Sequence, residues 1–275
     1  MEIRHGSPEQ VSSSCPQWQR AERDFIPYLS ASVDTCVELT TLPASPRLAV
    51  ERNRTDVAEC RVSALRSRAT AAQAATSGTP FDRAQTALMA CYLQLFVRDI
   101  DALTRCANEA ETLAEDYGFA LVDAVAMVGR GRALVAGGSH DAGIAIMRNG
   151  IDAYRARRQV VGLPPLLAAF ADAQTEAGQL AEALVIVAEA QGLVESTGEV
   201  RLEPELQRME GDLRQRQNDH DAAQRCFRSA IAIARRQGAR WWELRASVSL
   251  ARPAPATGQA CRRAPRSRAD RQLLH

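Results

Sequence analysis

The chain has 275 residues, 46% of them hydrophobic, and a formal net charge of +1. It is long enough to bury a core and has no overall field to draw it to nucleic acid or a membrane surface. All 34 basic residues are arginine, and without lysine there is no P-loop lysine, no Schiff base and no kinase strand lysine, so those enzyme classes are excluded on chemistry. No run approaches a membrane span, and the N-terminus has no apolar signal core, which predicts a soluble, cytoplasmic protein. Seven cysteines, scattered and never spaced C-x-x-C, argue against a disulfide framework or a zinc site and read as small core residues.

In chain order, residues 1–78 are Ser-rich at 12–16 and Pro-punctuated at 43–46. Only 47–75 has a helix-favouring composition, so this region is expected to be degenerate or partly disordered. From Thr79 the text changes: Pro80 opens a helix in which Ala84, Ala87, Leu88, Cys91, Leu93 and Leu95 form an apolar stripe. After a break near Asp99, Leu103, Ala107 and Ala110 mark a second helix. A third is predicted over 121–135, stopped by Gly137 and Gly138, and a fourth runs to about 157, capped by Ser139 or Asp141. Pro164 and Pro165 open a fifth that Ala177 and Gly178 close. The sixth, 180–195, turns Leu184, Val187 and Ala188 inward. The last pair is 203–217 and 219–237, with Asp219 and Asp221 at the helix start and Arg235 and Arg236 at its end, as the helix dipole favours. Strand signals are missing, so the fold is expected to be all-α.

These helices echo one another every forty residues. Aligning Gly138, Gly178 and Asn218 superimposes Gly143, Ala183 and Ala223; Met147, Val187 and Phe227; and Gly150, Ala190 and Ala230. Gly131, Ala171 and Gly211 precede each set by twelve residues, and Leu103, Ala107 and Ala110 extend the series back one period. Small residues at these offsets let antiparallel helices approach closely, and the bulky one between them fills the hole against the next pair. The pattern predicts an α-solenoid of helix hairpins over 79–252.

The spacing resembles that of tetratricopeptide repeats, stretched from their usual period of about thirty-four residues to about forty. With residues 79–101, the Gly162-Leu163-Pro164-Pro165 helix start, residues 226–239, Glu243-Leu244-Arg245-Ala246 and Ser249-Leu250-Ala251-Arg252, the region resembles the C-terminal repeats of large bacterial signalling proteins. Those proteins join a class III adenylate cyclase or DNA-binding domain to a P-loop ATPase and then to such repeats. The resemblance implies a noncatalytic sensor or regulatory module present without its effector domains. No catalytic residue and no cofactor carries over, because the chain has neither a cyclase domain nor a G-x-x-x-x-G-K-[ST] loop. Where the family continues into further helices, this chain has Pro253-Ala254-Pro255 and an Arg-rich tail, 253–275, expected to be disordered. A reading frame truncated or shifted near residue 252 would explain it.

Chemical candidates are few. His140 and His220 share one repeat position beside Asp141 and Asp221 and read as turn or capping residues. Glu109 with Glu111, and Glu203 with Glu205, are spaced so that they diverge on a helix, which disfavours a catalytic pair. No Ser or Cys has an evident base. The tail arginines (Arg262, Arg263, Arg266, Arg268, Arg271) suggest an alternative, nucleic-acid association, although no aromatic interleaves them. Trp241-Trp242, on a last helix without a partner, predicts exposed apolar surface and self-association through that end. In tetratricopeptide arrays the first helices of the hairpins line a concave groove. By register this implies a protein or peptide site at Val128, Arg132 and Val135, at Asp172, Thr175 and Glu176, and at Arg208, Asp212 and Arg216.

Overall fold

The computed structural model describes residues 79–252; the expectations for 1–78 and for the tail at 253–275 lie outside the described residues. Nine α-helices follow one another among the described residues: α1 (Pro80–Val97), α2 (Ile100–Tyr117), α3 (Ala120–Ala136), α4 (His140–Ala156), α5 (Leu163–Glu176), α6 (Leu180–Thr197), α7 (Glu203–Arg216), α8 (His220–Gln237) and α9 (Arg240–Ala251). A single 3-10 turn, Val200–Leu202, precedes α7. Each helix packs antiparallel on the next, giving four hairpins and a ninth helix against α8, an arrangement consistent with an α-solenoid. No helix among the described residues is long and apolar enough to cross a membrane.

The helix ends follow from a few residues. Thr79 accepts from the Asp82 backbone N–H (3.2 Å) while Asp82 accepts from Thr79 N–H (2.9 Å), a reciprocal capping box in front of Pro80. Those Thr79 bonds hold the Asp82 carboxyl below its ordinary range. Asp99 and Asp219 cap α2 and α8 by accepting from Ala102 and Ala222 N–H. Ser139, expected to cap α4, makes no side-chain bond there. Its backbone N–H instead donates to Leu134, closing the preceding turn, and Asp141 sits in the first turn of the helix.

The repeat is set by backbone turns. Arg98, Gly138, Gly178 and Asn218, spaced by forty residues, all have left-handed backbone (φ 62, 93, 81 and 66°). A second series lies midway between them: Gly118, Arg158, Gly198 and Gly238 (φ 71, 56, 73 and 68°). The residue after each of Gly118, Gly138, Gly178, Asn218 and Gly238 donates to the carbonyl five positions back, the closing bond of a Schellman motif.

Between the turns, small residues decide how near the paired helices come. A Cβ on Gly131 would lie 2.5 Å from the Gly143 carbonyl oxygen and 2.9 Å from Met147 N, and one on Gly143 would lie 2.5 Å from Gly131 O. The backbones of α3 and α4 therefore touch. At Gly211 the neighbour is the Phe227 ring, 2.5 Å away. Met147 and Phe227 thus lie over the small residue of their own hairpin. Leu103, Ala107, Ala110, Met147, Gly150, Val187, Ala190, Phe227 and Ala230 are all buried, as the echo predicts. On α6 the inward line is Ala183, Val187, Ala190 and Val194; Ala188, expected inward, is exposed, being one residue and about 100° around the helix from Val187.

α5 is central. Apart from Asp172, Thr175 and Glu176 it is buried, as expected for a mostly apolar helix, and it touches α1, α3, α4 and α6. Two buried tyrosines fix α1 over the start of α5: Tyr92 donates to the Gly162 carbonyl (3.1 Å), and Tyr154, from the end of α4, donates to Val161 O. Burial pushes both phenols up, Tyr154 to about 12, so they stay protonated donors. Gly162 (φ 82°) is required here, since a Cβ would meet the Tyr92 and Tyr154 hydroxyls at 2.8 and 2.9 Å.

Two glycine substitutions separate helix propensity from helix approach. Gly131→Ala is expected to cost about 1–3 kcal/mol by overpacking. Gly192→Ala, in α6 with open space where the methyl would go, is expected to stabilise by about 0.5–1 kcal/mol. Urea unfolding of both variants gives the two signs; a stabilised Gly131→Ala would show that backbone approach does not limit this hairpin.

Candidate functional site

The first helices of the hairpins, α1, α3, α5 and α7, together with α9, share a face rich in Arg and carboxylates. Arg132 on α3 reaches across to Glu176 on α5 with two N–H donors, at 2.7 and 3.2 Å. Arg98, in the left-handed turn after α1, pairs with Asp172 on α5. On α7, Arg208 grips the Glu205 carboxylate with Nε and Nη2, both at 2.9 Å, pairs with Asp212, and donates to Ser249 Oγ on α9 at 3.3 Å. Arg245 of α9 completes the cluster, 3.0 Å from the same Glu205 oxygen, with its guanidinium over the Trp242 ring at 5.5 Å.

The Glu205–Arg208 pair is nearly dry, with side chains 5% and 7% exposed. Burial alone would push the Glu205 carboxyl up, but Arg208 and Arg245 outweigh it and hold the group below its ordinary range. Burial likewise opposes the charge on Arg208, and Glu205 and Asp212 more than offset it. Four arginines (98, 132, 208 and 245) face four carboxylates (172, 176, 205 and 212), so the face is close to neutral and steers no ligand by net charge.

The residues expected to line a groove divide into three groups. Val128 and Val135 are core, 0% and 1% exposed, and line no surface; the register placed them on the side of α3 that packs inward. Arg132 and Arg208 face the charged surface but are buried and already paired. Asp172, Thr175, Glu176, Asp212 and Arg216 keep partial or full exposure. Of these, Asp172, Glu176 and Asp212 are ion-paired, and the Thr175 hydroxyl donates to Ala171 O within its own helix. Arg216 is exposed at the end of α7, one turn beyond Asp212.

Other candidates fall in place simply. Glu205 is buried while Glu203 keeps partial exposure, so the i,i+2 pair diverges as expected. Glu111 pairs with Arg130 of α3, whereas Glu109 points outward. His140 and His220 open α4 and α8 at a position held by Ile100 and Leu180 in the other hairpins. Each is half-buried with its Nδ1 enclosed and unbonded, so neither ring caps its helix. Cys91 is buried, and burial pushes its thiol far up; Cys106 and Cys226 are half-buried and not disulfide-bonded. Among the described residues, no group of three or more His, Cys, Asp and Glu is placed to hold a metal ion.

Sequence reading missed Arg98, Glu205, Arg245 and Ser249 as members of this face. It also missed Gln94 and Gln174, eighty residues apart in the same repeat position, which are both buried with an unbonded side-chain oxygen. A polar residue recurring at two repeat periods within apolar helices was the available signal for the glutamines.

No protein-family model and no curated protein matches the chain. The architecture by itself places it as an all-helical domain of consecutive antiparallel helix pairs, consistent with a repeat array.

Removing the Glu205 charge leaves Arg208 and Arg245 facing each other with only Asp212 still paired to Arg208, so Glu205→Gln is expected to cost about 3–5 kcal/mol. Because the folded carboxyl titrates below its ordinary 4.5, the unfolded chain takes up its proton first on acidification. The stability this group supplies is thus complete above that pH and is lost as pH falls through the folded value. Calorimetry from neutral pH to about pH 3 should show a steeper fall in Tm below the ordinary carboxyl range for the parent than for Glu205→Gln. Parallel curves would remove Glu205 from this account.

Proposed function

We propose that residues 79–252 are a noncatalytic interaction module of the tetratricopeptide type, serving as the sensor or regulatory portion of a bacterial signalling ATPase, adenylate cyclase or transcriptional regulator. One observation carries the reading. The left-handed turns and the buried small-residue positions both recur every forty residues along a run of antiparallel hairpins, and such arrays present extended surfaces rather than a single reaction centre. The partner is a protein or peptide of mixed charge. It meets the accessible part of the Arg and carboxylate face, at Asp172, Thr175, Glu176, Asp212 and Arg216, where ion pairs can be exchanged for equivalent ones. The tail arginines invoked for nucleic-acid association lie outside the described residues, and nothing within 79–252 favours that alternative.

A photo-crosslinking residue placed at Thr175 or Arg216 in the full chain, in its native host, tests the proposal against the same residue at Asn149, exposed on α4. A discrete adduct is expected from the first two positions and not from the third. Arg216→Glu should weaken capture on the order of fivefold, the scale of one exposed ion pair. Equal labelling from Asn149, or no adduct from Thr175 and Arg216, would remove the surface from consideration. An adduct of twice the chain's own mass would make the partner a second copy.

A further inference from the structure

The first and last described helices meet, although 146 residues separate the side chains that touch. Phe96, in the last turn of α1, packs edge-on against Trp242 of α9, with centroids 5.8 Å apart and planes at 71°. Two residues further on, Arg98 reaches Asp172 on α5. The two contacts lie two residues apart at the end of α1, and Trp242 is also the ring beneath the Arg245 guanidinium that binds Glu205.

We propose that Phe96–Trp242 and Arg98–Asp172 form a latch that holds the array closed over the Glu205, Arg208 and Arg245 cluster. Its release gives a peptide partner access to that cluster. The inference rests on the interaction-module reading for the identity of the ligand, though not for the latch.

Three observations carry it. First, where α1 meets α9 the closure is made of separable contacts, while Tyr92 keeps α1 on the start of α5. Consecutive helices pack along their length, whereas α1 and α9 have no extended backbone packing. An aromatic pair and a partly exposed ion pair each shift an opening equilibrium by roughly twofold to tenfold, a scale that a ligand's differential affinity can match. Second, Arg98 is held in a costly conformation. It occupies the left-handed turn (φ 62°) taken by Gly138, Gly178 and Asn218 in the later hairpins, and a long side chain such as arginine is strained there where Gly and Asn are not. What the arginine supplies in return is the guanidinium that reaches Asp172. Third, the covered cluster is built to recognise charge. Glu205 pairs with both Arg208 and Arg245, and the latch residues lie near enough to act on this cluster: Arg98 helps to hold the Glu205 carboxyl down, and Asp172 helps to keep Arg208 charged. Releasing Arg98 from Asp172 changes the charge facing Glu205 as well as its cover, so latch and cluster respond together.

Trp242 reports the latch directly. In a Trp18→Phe/Trp241→Phe background of the full chain, Trp242 is the sole tryptophan, and its acrylamide quenching measures exposure without any partner. Arg98→Gly keeps the left-handed turn and relieves its strain while deleting the cation; Asp172→Asn deletes the anion; Phe96→Ala deletes the aromatic cover. Quenching is expected to rise roughly twofold in each ion-pair variant and more in Arg98→Gly/Phe96→Ala. The far-ultraviolet circular dichroism should stay unchanged and the radius of gyration should increase. If Phe96→Ala does not fold, Arg98→Gly and Asp172→Asn decide the matter. Unchanged quenching in both overturns the latch. A latch that opens in these variants, in a chain for which Thr175 and Arg216 capture nothing, would sustain the device and reject the interaction reading, so the two failures are distinct.

Discussion

The structure depends on a backbone constraint: every twenty residues the chain turns through a left-handed residue and reverses. Helices of similar length between such turns cannot avoid lying antiparallel, and the forty-residue period is two of these steps. Six of the eight members of the two turn series are Gly or Asn, residues that reach positive φ at little cost. The exceptions, Arg98 and Arg158, are where the chain accepts strain. For Arg98 the structure shows a use, since its side chain crosses to Asp172.

Close approach is the second half of that constraint. The missing Cβ atoms at Gly131, Gly143 and Gly150 bring α3 and α4 into backbone contact, and the large Phe227 ring occupies the equivalent space over Gly211. The stacked hairpins bring α1 within reach of both α5 and α9. A helix such as α5, apolar over most of its surface, is stable because α1, α3, α4 and α6 cover it.

The charged face combines pairs within α7 with pairs between helices. The desolvation of Glu205 and Arg208 is offset by their two-point contact and by Arg245. The face is closed by its own ion pairs.

Sequence alone determined what depends on neighbours close along the chain. Helix limits, the Thr79 and Asp219 starts, the glycine stops, the forty-residue period and the buried small-residue positions all follow from spacing and local chemistry, because each is fixed within one or two helical turns. The tertiary structure decided which side of α3 carries Val128 and Val135, that Ala188 turns outward, that Met147 and Phe227 fill their own hairpins, and that Arg98, Asp172, Glu205 and Arg245 share one face. These outcomes depend on which face each helix turns to its neighbours and on how successive hairpins stack. A change of one residue in helical register turns a side chain by about 100°, and a few degrees of tilt per repeat decide whether the first helix meets the last. Neither quantity is encoded at any one position, so neither could be read before the helices were packed.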